Sequence, residues 1–113
     1  MLTIRKEQVE KLGEYITETF VLNTIKQLRE KYTRETNNKD DNNLLDFIHH
    51  GIEKAEKHNI IERRDIVIYL EYMLIYGEDF DTDKGNKWAI KVFRIKNLTG
   101  EEKIIQLLKK KPL

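Results

Sequence analysis

The sequence predicts an all-α protein, with residues 1–113 forming a single compact domain of four to five helices. Three observations lead to this prediction. Apolar residues recur at intervals of three and four along most of the chain, and no segment alternates long enough to compete as a strand. The one proline lies at position 112 and glycines number five, so long runs are free to be helical. At 113 residues and 39% hydrophobic content, the chain is long enough for one ordinary domain and too short for two.

Charge and cysteine content exclude several functional classes. Lys and Arg number 21 against 20 Asp and Glu, which leaves a formal charge of +1. A broad nucleic-acid surface would show a strong basic excess, so we expect no nucleic-acid partner. The absence of cysteine removes disulfides and thiolate metal sites. Charges interrupt the first residues where a signal peptide needs an apolar core, and no window resembles a membrane span. These features predict a cytoplasmic protein without a membrane partner.

The chain is organised around residues 64–93. Ile66, Leu70, Met73 and Tyr76 recur at helical spacing and predict a largely buried helix. Gly77 directly follows this stripe, and we expect it to end the helix in the left-handed conformation. The acidic run after it has no apolar repeat. A short helix then restarts near Asn86 and carries Trp88, Ile90, Val92 and Phe93. The predicted unit is helix, acidic turn, helix.

Three further helices are predicted, two before this unit and one after it. The first begins at an N-cap, Thr3, and extends to Lys31. The polar run of residues 33–43 follows as a surface loop. Asp41 or Asn42 caps the second helix, which Asn59 ends. The last helix starts at Thr99, which is followed three residues later by Glu102, the spacing of a capping box. The expected core contains Leu12, Ile16, Phe20, Ile48, Ile52, Ile66, Leu70, Met73 and Trp88.

The acidic turn invites comparison with a calcium loop through Asp79, Asp81 and Asp83. The match fails because Lys84 and Ile90 stand where such a loop needs glycine and a bidentate glutamate. The three histidines, His49, His50 and His58, do not have the spacing of a zinc pair on one helix face. We therefore expect no metal and no cofactor, and interpret the aspartates as a solvated turn, as caps or as partners of basic side chains.

Catalysis is not favoured by the residues present. The chain contains neither serine nor cysteine, so the usual nucleophile–histidine pairs cannot form, and only threonine, lysine or carboxylate chemistry stays open. A pairing of His50 with Glu53 on one helix face is more typical of a surface contact than of a metal or catalytic site. The prediction is a protein that is not an enzyme.

A partner-binding surface is predicted around the acidic turn. Exposed carboxylates beside large aromatic side chains are typical of a mixed recognition patch. Two alternatives stay open: the aromatic residues can belong to the core, and Arg64 can belong to a structural ion-pair network. The candidate residues are Asp79, Phe80, Asp81, Asp83, Trp88, Arg64 and Tyr72.

Several short stretches together resemble a small bacterial family found in type VI secretion gene clusters, near spike, PAAR-tip and effector genes. The resemblance spans most of the chain. Its family pattern is roughly IRxEQ, GIERA, an ERD helix start, a DLMxxFG stretch preceded by tyrosine or isoleucine, and DFDxDPxLPWA. Lys84 and the pair Asn86–Lys87 depart from it, because they replace the proline and the leucine–proline of the usual turn. The matching residues are Ile4, Arg5, Glu7, Gln8, Gly51, Ile52, Glu53, Ala55, Arg64, Asp65, Met73, Gly77, Asp79, Phe80, Asp81, Asp83, Trp88 and Ala89.

The resemblance implies a genomic setting and a stoichiometric protein partner. One reading is an adaptor or chaperone that holds a secreted effector or a spike-associated protein in the cytoplasm before secretion. The other is an immunity protein that binds and blocks a toxin made by the same cell. Enzymatic activity ranks behind both.

Overall fold

The computed structural model describes residues 16–113 and confirms the all-α fold class for this part of the chain. No strand occurs within these residues. The helices are α1 (Glu18–Lys31), α2 (Thr33–Thr36), α3 (Asp41–Lys57), α4 (Arg63–Tyr76), α5 (Lys87–Arg94) and α6 (Gly100–Lys110).

The chain divides into two compact units, one ending at Glu53 and one spanning Lys54–Leu113. The boundary falls inside α3. The expectation of one domain over residues 1–113 stays a prediction. In the first unit α1 buries Val21, Ile25 and Leu28.

The start of α1 differs from the prediction. Thr17 has extended backbone angles, and its hydroxyl accepts a hydrogen bond from the Phe20 amide at 3.0 Å. This N-cap begins the helix at Glu18. Ile16 and Thr17 were predicted to be helical and are not. The proposed cap at Thr3, the core residue Leu12 and the family residues Ile4–Gln8 lie outside the described residues.

The polar segment after α1 is more ordered than a surface loop. Thr33–Thr36 form a helical turn, and the Thr36 side chain is buried. The Arg29 guanidinium donates to the carbonyls of Thr36 and Lys39, at 3.4 and 2.9 Å, and to the Asp41 carboxylate at 2.7 Å. The prediction of a loop over residues 33–43 is therefore wrong in part, because one arginine replaces the apolar anchor that the segment lacks.

Caps fix the boundaries of α3 and α4. The Asp40 carboxylate accepts a hydrogen bond from the Asn43 amide at 2.7 Å, so Asp40 caps α3 in place of the predicted Asp41 or Asn42. Asn59 has φ 62°, and Ile60 donates back to the Ala55 carbonyl at 2.9 Å, which confirms the predicted end of α3 as a Schellman motif. Gly77 ends α4 as predicted, but at φ 107° and ψ 154°, an extended glycine conformation and not the left-handed helical one.

In the second unit α6 packs against both α4 and α5. The capping box of Thr99 and Glu102 is present as predicted. Gly100, at the first position of α6, lies against backbone: a Cβ there would be 2.1 Å from the Asn59 carbonyl oxygen. The close approach of α6 to the end of α3 therefore requires glycine.

Most of the predicted core residues are buried. Those confirmed at 2% exposure or less are Ile16, Ile48, Ile52, Ile66, Leu70 and Met73. Phe20 and Trp88 are only half-buried, so their assignment to the core interior was wrong.

Candidate functional site

The turn between α4 and α5 is held by aromatic packing. We call residues 78–83 the acidic turn. Its centre, Phe80, is fully buried, with ring centroids 5.1 Å from Tyr69 and 5.7 Å from Tyr72. Because both tyrosines belong to α4, the turn folds back onto the helix that precedes it. An aromatic side chain flanked by carboxylates acts here as the anchor of the turn.

A polar cluster forms the second attachment of the turn. The Asp81 side chain is 4% exposed and accepts three hydrogen bonds. The donors are Lys54 Nζ at 2.9 Å, His58 Nε2 at 2.8 Å and the Tyr69 hydroxyl at 3.1 Å. We call these four residues the Asp81 cluster. It connects the end of α3, the middle of α4 and the acidic turn within the second unit.

The environment of Asp81 favours its ionised form. Burial by itself raises the pKa of this carboxyl, but the hydrogen bonds from His58 and Lys54, the Lys54 charge and the Tyr69 hydroxyl outweigh it and hold the pKa well below the usual range. Burial, followed by the Asp81 charge, raises the pKa of the Tyr69 phenol. Asp81 is therefore a carboxylate and Tyr69 a neutral phenol at neutral pH.

His58 and Lys54 also hold their surroundings. The His58 ring stacks on Phe93 with centroids 4.1 Å apart, and the backbone carbonyl of His58 accepts a hydrogen bond from Lys103 Nζ at 2.7 Å. Lys54 Nζ also donates to the Glu78 carbonyl and lies 3.4 Å from the Asp79 carboxylate. Each side chain thus joins two or more elements, as expected of a structural network.

The His58–Asp81 pair also has the geometry of a general acid–base pair. Its carboxylate is engaged by two further donors, and the sequence offers no serine or cysteine for the imidazole to activate. Among residues 16–113 no group of three or more His, Asp or Glu side chains is arranged to hold a metal ion.

Three of the predicted partner-binding residues lie in the interior. Tyr72 and Phe80 are fully buried, and Asp81 is 6% exposed. The Tyr72 hydroxyl donates to the Lys111 carbonyl at 2.6 Å, and burial, with Tyr76 and Glu71 nearby, raises the pKa of Tyr72 to about 12. The prediction that these three contact a partner is corrected: their atoms are used to fix α4, the acidic turn and the chain after α6.

Three others are exposed. The Asp79 side chain is 80% exposed, and Asp83 accepts from the Gly85 amide at 2.9 Å while facing solvent. Arg64 is exposed at the start of α4, with its guanidinium 3.7 Å from Asp65 and 3.5 Å from Glu101. Neither of these carboxylates belongs to the acidic turn, so the structure does not bring Arg64 together with the turn residues.

Trp88 connects the buried aromatic cluster to the surface. It is half-buried and lies 5.7 Å from Tyr72 and 5.0 Å from Tyr76, the latter in an edge-to-face arrangement. Tyr76 is also half-buried. We call Tyr76 and Trp88 the aromatic edge. Only Trp88 of this pair belongs to the predicted surface, and Tyr76 was expected on the buried stripe of α4. Together they combine partial exposure with large apolar area.

Sequence reasoning missed Lys54, His58 and Tyr69. Lys54 and His58 are four residues apart near the end of α3, which places both on one side of that helix. This spacing was visible in the sequence, but their partner lies 23 or more residues later. Local periodicity cannot predict a contact between side chains so far apart in the sequence.

None of the described helices is long and apolar enough to cross a membrane. Comparison with known proteins gives no matching family model, no matching curated protein and no matching solved structure.

Proposed function

We propose that this chain is a non-catalytic protein-binding module of a type VI secretion locus. In this proposal it is an adaptor or chaperone that binds a secreted effector or a spike-associated protein in the cytoplasm before secretion. The observation that supports binding most directly is the half-buried aromatic edge of Tyr76 and Trp88 on an otherwise fixed helix–turn–helix unit.

Tyrosine and tryptophan dominate the binding energy of many protein interfaces, because each adds a large apolar area and retains a polar atom. Here the edge rests on Tyr72 and Phe80, which are fully buried. A surface that is already ordered loses less entropy on binding. These properties favour recognition of a folded protein over a loose, transient contact.

Charge beside the edge supports specificity. Asp79 and Asp83 extend from the acidic turn into solvent, whereas Asp81 faces inward. Exposed carboxylates next to an apolar anchor attract a basic partner surface and disfavour acidic ones. The inward aspartate keeps the turn in place while the outward ones remain available.

The Asp81 cluster supports a non-catalytic role. The hydrogen bonds of its buried carboxylate and the stacking of the His58 ring on Phe93 all attach one element to another. Every described buried side-chain nitrogen or oxygen has a hydrogen-bond partner. A fully satisfied network of this kind makes a core unique and rigid.

A pull-down from the native cytoplasm tests the proposal. The tagged chain should retain one protein in stoichiometric amount, a secreted effector or a spike-associated protein encoded nearby, and deleting the chain should abolish secretion of that protein. A matched sample carrying Trp88→Ala should retain less of it. Recovery of no stoichiometric partner by the folded wild-type chain would contradict the proposal.

An immunity role is the second candidate, and the 80% exposure of Asp79 favours it. Toxins that act on nucleic acid or nucleotides commonly present basic surfaces, which an acidic turn would complement. The two roles differ in their deletion phenotype. Loss of an immunity protein should kill the cell unless the toxin is inactivated, whereas loss of an adaptor should leave growth intact and stop secretion.

A further inference from the structure

Charge is segregated along the second unit. The acidic turn is followed by residues 84–100, which contain five lysine and arginine residues and no aspartate or glutamate. This segment includes the whole of α5. A chain whose total charge is close to zero therefore places a local basic surface directly after its acidic turn.

The cations of α5 share one face. Lys87, Lys91 and Arg94 follow one another at spacings of four and three, and Ile90 lies between them. With Lys84 they line an open groove of about 330 Å³. The four cationic residues are exposed and Ile90 is half-buried. We call these five residues the basic groove.

Intramolecular pairing does not account for these charges. Among the described residues, the ion pairs of Arg29, Lys54 and Arg64 are with carboxylates, whereas the four cations of the basic groove have no such pair. Three cations on one short helix face, with Lys84 just before the helix, repel one another. An anionic partner would relieve that repulsion.

Helix stability does not account for the pattern either. Lys87 occupies the first turn of α5, where positive charge opposes the helix dipole. No acidic residue lies in that turn, and the Asn86 side chain makes no capping hydrogen bond. In α6 the arrangement is the favourable one, with Glu101 and Glu102 in the first turn and lysines in the last.

We propose that the basic groove binds an acidic segment of a protein partner, with an apolar side chain of that segment seated over Ile90. The inference rests on the proposed binding function and adds the chemistry of one contact. Four cations around an apolar floor match a segment in which carboxylates surround a hydrophobic residue. The groove is near the lower end of the range of about 300–1,000 Å³ for ligand sites, so it suits one or two side chains.

A protein segment fits these features better than nucleic acid does. The chain has a formal charge of only +1, and the described α5 face ends after two helical turns. Nucleic-acid surfaces have a broader basic excess and follow a phosphate backbone. An isoleucine at the centre of the groove contributes nothing to phosphate binding but can pack against an apolar side chain.

Peptide titration of the isotopically labelled full chain tests the groove. The probe is a synthetic peptide of about 15 residues with glutamates at helical spacing around one leucine. It should shift the amide resonances of residues 84–94. Lys87→Glu with Lys91→Glu should weaken binding about tenfold or more, and Ile90→Ser should weaken it without changing charge. Lys109→Glu with Lys110→Glu makes the same charge change on α6 and should have little effect.

Three results would overturn the inference. Equal weakening by the α6 control would mean that the peptide senses net charge alone. If a peptide with glutamine in place of each glutamate binds as tightly as the original, charge complementarity does not contribute to binding. Tighter binding of single-stranded DNA at equal salt would make the groove a nucleic-acid surface. Circular dichroism on each variant establishes that it is folded.

The partner recovered by pull-down separates this inference from the proposed function. If that partner binds Lys87→Glu with Lys91→Glu as tightly as wild type but is lost with Trp88→Ala, the groove inference is wrong and the binding function stands. If the wild-type chain retains no stoichiometric partner, the proposed function itself is wrong.

Discussion

The imidazole Nε2 of His58 lies 2.8 Å from Oδ2 of Asp81, joining the residue after α3 to a turn 23 positions later. With Lys54 and Tyr69, His58 surrounds a carboxylate that is almost completely withdrawn from solvent. The same turn presents Asp79 outward. One aspartate thus fixes the turn and another remains exposed beside the aromatic edge.

Asp81→Asn should lower the free energy of unfolding by about 3–5 kcal/mol, because it leaves Lys54 without its buried counter-ion. Asp65→Asn is the matched control, since it makes the same change at another buried aspartate. Burial raises the pKa of Asp65 despite the nearby Arg64, so removing its charge should leave stability unchanged or slightly higher. Urea unfolding of both variants at pH 7 measures the difference. Similar losses in the two would contradict the assigned role of Asp81.

The contribution of Asp81 should depend on pH. Its pKa is lower in the folded chain than in the unfolded one, so the carboxylate stabilises the fold fully at pH above about 4 and loses this effect as the pH falls toward the folded value. The difference in unfolding free energy between wild type and Asp81→Asn should therefore be largest near neutral pH and shrink below about pH 4. Urea titrations at several pH values measure it. A gap that widens in acid would mean that the carboxylate is not held in its charged form.

Gly100→Ala should destabilise the second unit. A Cβ at this position would lie 2.1 Å from the Asn59 carbonyl oxygen and 2.7 Å from the Ile60 Cα, and backbone cannot move aside as a flexible side chain can. We expect a loss of about 1–3 kcal/mol or more. At Gly85 the nearest atom to an added Cβ is an Asp83 carboxylate oxygen at 3.4 Å, so Gly85→Ala is a mild control. Thermal unfolding monitored by circular dichroism compares the two, and equal melting temperatures would contradict the close approach of α6.

Replacing the exposed carboxylates should change association kinetics. Asp79→Ala with Asp83→Ala removes charge from the outside of the acidic turn without removing the Asp81 cluster. If the partner surface is basic, association should become slower and less sensitive to salt, with dissociation nearly unchanged. Surface plasmon resonance at several ionic strengths, with the co-purified partner, measures both rates. Unchanged association at low salt would mean that the turn does not steer the encounter.

Local sequence patterns were sufficient for much of the fold. The periodic stripe of α4, the stop at Gly77, the end of α3 at Asn59 and the capping box at Thr99 each depend on neighbouring residues, and each is present. The exception after α1 is instructive. Residues 33–43 contain no apolar anchor, yet Arg29 orders the segment through carbonyls that no side-chain pattern encodes.

The candidate site was less predictable than the fold. The sequence places three aspartates two residues apart in one turn but does not indicate which of them faces inward. That choice depends on Lys54, near the end of α3, and on His58, the residue after it. Likewise, Tyr72 and Tyr76 share a helix face and both contact Trp88, but one is buried and the other only half-buried. Tyr72 also packs against Phe80 and donates to the Lys111 carbonyl, and both of these partners come from later in the chain.

The dissociation rate of the co-purified partner from Trp88→Ala tests the central claim most directly. We expect folded Trp88→Ala to release the partner at least about tenfold faster than wild type, since truncating a tryptophan anchor commonly costs 2 kcal/mol or more. Trp88→Leu, which retains apolar volume, provides a second variant should alanine unfold the chain. Ile105→Ala, at a 42% exposed position on α6, should release the partner at the wild-type rate. If folded Trp88→Ala and Tyr76→Ala both dissociate like wild type, the aromatic edge is not the interface.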